Sequence, residues 1–172
     1  MLSGRRRVVE VGCGDAFGSR VVQQETGELT VLDIDPIFIA DIERRMHPDW
    51  PLTPAVHDML SGPYQGIFDA AYSLDVLEHI PAQAEETFIR NIPSSLTKEG
   101  TLVVGMPSLD SQEHASPQSK IGHINCKHGG DLKALMEQFF DNVFVFSMND
   151  EVVHTGFYPM AHYLFALCVG KK

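Results

Sequence analysis

Three residues that can exchange protons stand close together in the stretch LDVLEHIP. Pro81 cannot continue a helix, so we expect residues 75–79 to form a single turn. In such a turn Asp75, Glu78 and His79 occupy positions i, i+3 and i+4 and share one side. Histidine titrates closest to neutral pH, which makes His79 the preferred general base for removing a proton from a substrate. The same spacing also suits a structural role, in which Glu78 and His79 brace the following helix.

A second group of residues suits a bound nucleotide. The apolar run from Val8 to Val11 ends in Gly12 and Gly14, and a Gly-x-Gly turn between a strand and a helix lets a ligand approach the backbone. The dinucleotide pattern G-x-G-x-x-G is not completed, because Phe17 occupies its last position; this disfavours a nicotinamide-binding enzyme. A tight turn without a ligand remains the alternative.

Acidic residues follow the next two predicted strands. Asp33 ends its strand about twenty residues after the glycine turn, where a carboxylate accepts hydrogen bonds from ribose hydroxyls. Asp35, followed by Pro36, is typical of a helix N-cap. Asp58 either accepts from an adenine amino group or forms a turn.

Eight histidines raise the question of a metal site. Imidazole and carboxylate groups together suit a divalent transition metal. The set that such an ion would use is Asp75, Glu78, His79 and His123, and His123 is also a candidate catalytic residue beside Asp75 and His79. The spacing is not that of a diagnostic metal motif, so the sequence favours a site without metal.

Strands and helices must alternate to position these residues. The pattern predicts an α/β fold with seven strands in a mostly parallel sheet, helices on both faces, and an antiparallel edge formed by the last two strands. LTKEG is expected to be a turn, and Asp131 the N-cap of the last helix. We expect residues 1–172 to form one domain. The predicted strands are RRVVEV, LTVLDI, PAVHD, GIFDAAYS, TLVVGM, NVFVFS and HYLFALCV, and the predicted helices are SRVVQQ, PIFIADIERRM, PAQAEETFIRNI and DLKALMEQFF.

Composition narrows the class of protein. The 172 residues are 44% hydrophobic, as in globular chains, and carry a formal net charge of -10, which disfavours nucleic acid as a partner. No apolar run reaches the length of a membrane span. Three widely spaced cysteines without a C-x-x-C motif indicate reduced thiols and a cytoplasmic location.

The motifs VVEVGCGDAFGS, VLDIDP, HDML, FDAAYSLDVLEHIP and LTKEGTLVVGMPS follow one another in an order that resembles the class I S-adenosylmethionine-dependent methyltransferases. The resemblance implies a sheet of order 3-2-1-4-5-7-6 with the last strand antiparallel, and S-adenosylmethionine as the methyl donor. In it Glu10 orients the glycine turn, Asp33 holds the ribose, and Asp58 the adenine edge. The implied donor-binding residues are Glu10, Gly12, Cys13, Gly14, Phe17, Asp33, Ile34, Asp58, Met59, Ser73 and Leu74.

Two departures of the chain from that family bear on the donor site. Ala16 stands where the family often has glycine, so we expect a slightly wider turn. Few residues precede the first strand, where most members carry helices that cover the donor. We therefore expect the later loops or a partner subunit, for example in a homodimer, to cover the site.

The resemblance and the polar loop MNDEVVHTGFYPMA predict O-methylation of a polar small molecule or glycan precursor. Within the loop, Asn149, Glu151 and His154 are the candidate acceptor-binding residues, because a plain hairpin needs far fewer residues. One alternative is a metal-assisted RNA or catechol-like O-methyltransferase, since Asp-x-x-Glu-His with a later His resembles metal-dependent small-RNA 3′-end and some quinone-precursor methyltransferases, which tend to have Glu at the position of Asp75. The other is a catalytically silent donor-binding subunit.

Overall fold

The computed structural model describes residues 1–149, 152–154 and 160–172. These residues form a sheet with the strand order β3-β2-β1-β4-β5-β8-β6-β7. The strands are β1 Arg7–Val11, β2 Glu28–Asp33, β3 Thr53–Val56, β4 Phe68–Leu74, β5 Leu96–Pro107, β6 Phe140–Asn149, β7 Val152–His154 and β8 Tyr163–Lys171.

The first five strands are parallel, and β8 runs antiparallel between β5 and β6. This confirms the predicted order 3-2-1-4-5-7-6, in which the predicted last strand is β8. The short strand β7 is an addition, paired with β6 at the outer edge. Because parallel strands end at one edge of the sheet, the segments after β1, β2 and β4 meet there.

Helices cover both faces of the sheet, as predicted. They are α1 Ser19–Gln23, α2 Pro36–Arg45, α3 Glu85–Ser94, α4 Pro117–Gly122 and α5 Gly129–Met136. One core cluster joins α2 to the sheet, and the other joins α3 and α5 to the opposite face. Asp35 caps α2 as predicted, accepting a hydrogen bond from the backbone N–H of Ile37 at 2.8 Å, with Pro36 in the first turn.

Three local expectations were wrong. LTKEG belongs to β5: Leu96 pairs with Phe68, and an irregularity follows before Thr101 pairs with Ala70. The predicted turn residues are therefore absorbed as a bulge within the strand. Helix α3 begins at Glu85, because the residues after Pro81 form a separate turn. Helix α5 is capped at His128, since Gly129 and Gly130 already lie inside its first turn.

Two predicted loops contain regular structure. The segment after β5 holds a 3-10 helix, Leu109–His114, followed by α4. The segment after β6 turns back as β7, with Met148 opposite Val153. Among the helices described, none has the length and apolar composition needed to cross a membrane.

Candidate functional site

The glycine turn after β1 adopts backbone conformations that side chains disfavour. Gly12 has φ +80° and Gly14 has φ +51°. A Cβ on Gly12 would overlap the side chain of Val76, whereas a Cβ on Gly14 would have no atom within 4 Å. Gly12 therefore lets the turn pack against the segment after β4, and Gly14 leaves open space above the turn.

Ala16 shares this left-handed conformation, with φ +56° and a buried methyl group. An alanine in this region costs about 1–2 kcal/mol. The turn thus takes a glycine-like conformation at Ala16.

Asp33 organises the glycine turn from the neighbouring strand. One carboxylate oxygen accepts from the N–H of Gly14 at 2.8 Å, and the other accepts from the N–H of Asp35 at 2.9 Å. A carboxylate offers about four lone-pair sites. Two of them therefore remain available to hydroxyl groups of a ligand in the cleft.

An open cleft of about 300 Å³ lies at this edge of the sheet, at the lower end of the usual size range of small-molecule sites. It brings together eight of the residues singled out in the sequence: Gly12, Gly14, Asp33, Ile34, Asp58, Met59, Asp75 and His79. Six other lining residues were given no role in the site by the sequence, although all except Phe88 stand inside the motifs quoted above: Val11, His57, Leu60, Val76, Ile80 and Phe88.

The lining of the cleft fits a nucleoside-bearing donor. Ile34 and Leu60 are exposed by 64% and 37% and supply apolar contact surface for a planar base. Asp58 also lines the cleft and closes its own turn, accepting from the N–H of Leu60 at 2.8 Å. Asp33 and the open space beside Gly14 form the polar end of the cleft, which suits a ribose and its substituent.

Two residues of the predicted donor set point away from the cleft. Cys13 is buried in a core cluster, and burial, helped by the charges of Glu10 and Asp33, raises the pKa of its thiol to about 12. Phe17 is 57% exposed, and its ring lies 4.7 Å from the guanidinium of Arg45. Of the residues in this turn, only Gly12 and Gly14 are among those that line the cleft.

Ser73 and Leu74 also lie outside the cleft lining. Ser73 is buried and donates to the carbonyl of Val11 at 2.9 Å, which ties β4 to β1. Leu74 still belongs to the strand and packs where a Cβ on Gly105 would stand. The cleft begins only where the chain leaves the sheet, at Asp75 and Val76.

Glu10 was expected to orient the glycine turn, but its hydrogen bond goes to the hydroxyl of Ser19 at the start of α1. It therefore fixes the helix that follows the turn. Burial raises the pKa of this carboxyl, and the hydrogen bond from Ser19 only partly offsets the shift.

Glu10→Gln is expected to raise the free energy of unfolding at pH 8 by about 1 kcal/mol, the scale of one net hydrogen bond. An acid with a raised pKa in the folded state binds its proton more tightly there than in the unfolded chain, so its charge destabilises the fold as pH rises through the folded pKa. Glutamine keeps an acceptor for Ser19 without that charge. Urea unfolding should show the gain at pH 8 and a smaller gain near pH 4. Glu43→Gln, at an exposed position, is the matched control, and an equal gain in it would contradict the argument.

The candidate catalytic group lies on the 3-10 helix Leu77–His79. The ring of His79 stands 5.4 Å from that of His123, and its Nε2 lies 3.8 Å from Oε1 of Glu78. Ligand atoms of these three residues all lie within 4.8 Å of one another. Both rings are anchored through Nδ1: His79 to the carbonyl of Gly122 and His123 to Oε1 of Gln112, each at 2.9 Å.

Glu78 is the unusual member of this cluster. It is 1% exposed, and neither carboxylate oxygen has a hydrogen-bond partner among the described residues. Burial raises its pKa to about 7, and the nearby charge of Asp75 adds to the shift. Desolvation, with the charge of His79, lowers the pKa of His123.

Asp75 is not part of the helical turn that the sequence predicted. Its φ of +57° places it in the left-handed region, before the 3-10 helix begins. Its pKa is raised by desolvation, an effect that Tyr163 and the two histidines oppose. Asp75 lines the cleft but stands apart from the cluster of Glu78, His79 and His123.

Of the predicted acceptor-binding residues, Asn149 has a structural contact within the sheet. Asn149 accepts a hydrogen bond from the N–H of His162 at 3.1 Å, a structural task that joins β6 to the start of β8. His154 ends β7, which three strands separate from β4. Glu151 lies outside the described residues.

The methyltransferase domain family model matches residues 8–100, more than half of the chain. The search of curated proteins found no match to this chain. Among solved structures, the N-methyltransferase NodS from Bradyrhizobium japonicum WM9, in complex with S-adenosyl-L-homocysteine, is 20% identical, with a TM-score of 0.70 over 97% of this chain and 79% of that one.

Two further structures share the fold. A putative methyltransferase from Haloferax volcanii, in complex with the Trm112 activator, is 15% identical with a TM-score of 0.77 over 99% of this chain and 83% of that one. Magnesium protoporphyrin IX methyltransferase from Synechocystis PCC 6803, with bound S-adenosyl-L-homocysteine, is 18% identical with a TM-score of 0.68 over 97% and 75%. At these identities the likeness establishes the fold.

Proposed function

We propose that this chain, which belongs to the class I S-adenosylmethionine-dependent methyltransferases, transfers the methyl group to an oxygen atom of a polar small molecule or glycan precursor. S-adenosylmethionine is the donor of the family, and the residues of the cleft fit it. Family membership implies the methyl donor, whereas the choice of oxygen as the acceptor atom is specific to this proposal.

One observation carries the choice of oxygen. His79 lines the same cleft as the glycine turn and Asp33. Methyl transfer from a sulfonium needs the acceptor held in line and water excluded, and a hydroxyl acceptor must in addition lose its proton. A neutral amine attacks without a base. A base at the donor cleft therefore favours a hydroxyl acceptor.

In this proposal, His79 receives the proton that the acceptor hydroxyl loses. Its Nδ1 faces a carbonyl oxygen, which only accepts, so Nδ1 carries the proton and Nε2 offers a lone pair. Nε2 takes the proton of the acceptor hydroxyl as the oxygen attacks the methyl carbon, whose bond to sulfur breaks. The imidazolium forms beside Glu78, which stabilises it when ionised.

The test is a screen of hydroxyl and amine acceptors with labelled S-adenosylmethionine, read by product mass. Methylated hydroxyl products support the proposal, and products methylated only on nitrogen contradict it. A chain that binds the donor and methylates nothing alone would favour the donor-binding subunit. The Haloferax neighbour was solved with an activator, so the screen is repeated with candidate partner proteins added.

A metal-assisted O-methyltransferase is the second candidate, and the buried, unpartnered Glu78 favours it. Glu78, His79 and His123 can together supply one carboxylate and two imidazoles, with Nδ1 of each ring already held by an oxygen acceptor. Such outer hydrogen bonds are the usual support of metal-binding histidines. A bound divalent ion would lower the pKa of an acceptor hydroxyl as a Lewis acid. The residues fit this group, with Asp75 outside the set.

On this second candidate, Mn²⁺ or Zn²⁺ at about 100 times its Kd should stabilise the protein by about 2.7 kcal/mol. Glu78→Gln should abolish the shift in Tm, whereas Glu86→Gln, on the exposed face of α3, should keep it. Chelation should also remove activity. Activity that resists chelation, with no metal-dependent shift in Tm, would leave His79 as a base without metal.

A further inference from the structure

The strands β5, β8 and β6 carry apolar side chains on both faces. One face packs under α3 and α5 in the core. On the other face, which we call the apolar face, the register forms three rows: Val103, Leu167 and Phe144; Gly105, Phe165 and Phe146; and Pro107, Tyr163 and Met148, which Val153 of β7 extends. None of these residues is charged. An antiparallel sheet that faces water on one side normally alternates apolar and polar residues, so this pattern indicates a covered face.

The described part of the chain leaves the apolar face partly open. Phe144 is 53% exposed and Val153 is 48% exposed. The other side chains of the three rows are half-buried, except that Val103 and Gly105 are buried. Contiguous exposed apolar surface of this kind marks interaction sites in proteins.

A groove of about 330 Å³ opens beside the apolar face. Its floor includes Leu74, Val103 and Phe165, and its walls come from α1 and from Val153. The charged residue of the lining, Glu25, accepts a hydrogen bond from the hydroxyl of Ser3 at 2.7 Å. The groove therefore offers an apolar floor whose shape suits an apolar side chain.

Phe144 and the floor of the groove lie on opposite sides of β8. Phe144 in β6 and Val103 in β5 both pair with Leu167, and neighbouring strands are about 4.8 Å apart. A twofold axis along β8, between two apolar faces, would place Phe144 of each copy above Val103 of the other. The face is thus self-complementary, as a twofold interface requires, because each copy supplies both a protruding ring and a groove.

The exposed apolar area matches what a stable dimer buries. With about 200 Å² for a large side chain, the apolar face and the groove walls expose on the order of 500 Å² in each copy. A standard interface buries about 800 Å² per partner, and about 65% of it is apolar in homodimers, which again gives about 500 Å². The net charge of -10 lies outside the apolar face and disfavours an anionic membrane as its cover.

We infer that the apolar face is the interface of a homodimer, in which Phe144 of each copy enters the groove of the other. The apolar rows exclude water between the two sheets, and the charged surfaces of both copies remain in solvent. This interface is independent of the acceptor proposed above, because it lies on a sheet face and the candidate base lies in the donor cleft.

The test measures mass in solution by analytical ultracentrifugation. At about 10 µM the wild type should have twice the 19.1 kDa mass of one chain, because interfaces of this area bind with Kd values from micromolar to picomolar. Phe144→Glu should be a monomer, since it brings an unpaired charge into the interface. Val21→Glu, at an exposed position of α1 in the groove wall, should also be a monomer and does not disturb the core. Ile67→Glu, at an exposed apolar position outside the apolar face, is the matched control and should remain a dimer.

Salt provides a second measurement. Raising NaCl from about 0.1 M to about 1 M shortens the Debye length from about 10 Å to about 3 Å, so it should tighten the dimer by screening the repulsion between two acidic copies. A dimer that weakens with salt overturns the inference, as does one that persists in Phe144→Glu or Val21→Glu. A monomeric wild type overturns it as well, and binding of that monomer to phosphatidylcholine vesicles would assign the apolar face to a lipid surface. The Tm of every variant is measured, so that loss of the dimer is distinguished from loss of the fold.

Discussion

Replacing His79 by alanine is expected to lower kcat by roughly 10²–10⁴-fold, while the affinity for S-adenosylmethionine stays unchanged. The expected loss is the usual share of general acid–base catalysis. The ring is held through Nδ1 by the carbonyl of Gly122, which leaves the lone pair of Nε2 free, and the nearby carboxylate of Glu78 stabilises the imidazolium. Steady-state turnover of any acceptor found in the screen measures kcat, and calorimetry with the donor measures binding.

Two variants separate chemistry from structure. His79→Gln keeps a polar side chain without a basic nitrogen, so it should lose as much activity as alanine if proton transfer is the role. His114→Ala removes an exposed histidine paired only with Glu113 and should keep wild-type turnover. A folded His79→Gln protein with near wild-type kcat would leave only the bracing role for this residue.

Much of the fold could be predicted because its strands carry a strong local signal. Val8, Val9 and Val11 are buried on both faces of the sheet, as an apolar run in a central parallel strand implies. The glycine turn and Asp33 then follow from where parallel strands end, and the structure brings them together in one cleft. The edge strand β7 was missed because it is three residues long and its pattern does not repeat.

The direction of single side chains was less predictable than their position along the chain. Ser73 and Leu74 immediately precede the cleft residues Asp75 and Val76, yet Ser73 bonds to β1 and Leu74 packs against Gly105, so neither lines the cleft. Cys13 shows the same limit within the glycine turn. The motif locates the turn, and the packing of Cys13 into the core decides that its thiol is not part of the site.

Contacts between segments that are far apart in the chain could not be predicted from the sequence. Leu74 and Tyr163 approach the backbone of Gly105 closely only because this position has no side chain. Likewise, Gln112 and Gly122 fix the two imidazole rings from a segment expected to be a loop. No periodicity encodes such contacts, since they depend on the order of strands in the sheet.

Asp33→Ala is expected to weaken the binding of S-adenosylmethionine by roughly ten- to hundredfold, corresponding to about 1.5–3 kcal/mol for hydrogen bonds to a charged group. The carboxylate has two remaining lone-pair sites for ribose hydroxyls and also holds the N–H of Gly14. Both the ribose contact and the hydrogen bond from Gly14 affect donor binding. Without that hydrogen bond, the glycine turn no longer holds Gly14 in a fixed position beside the donor. Calorimetry with S-adenosylmethionine and its demethylated product measures the loss.

Asp35→Ala is the matched control, since the same residue type stands two positions away and serves the fold alone. Its carboxylate caps α2, so its loss should cost about 0.5–2 kcal/mol of stability and leave donor affinity unchanged. Asp33→Asn then separates the two tasks of Asp33, because an amide oxygen can still accept from Gly14 but carries no charge for the ribose. Donor affinity in Asp33→Asn that falls nearly as far as in Asp33→Ala assigns the effect to the ribose contact. Unchanged affinity in both Asp33 variants would remove Asp33 from the donor site, whatever the two variants do to stability.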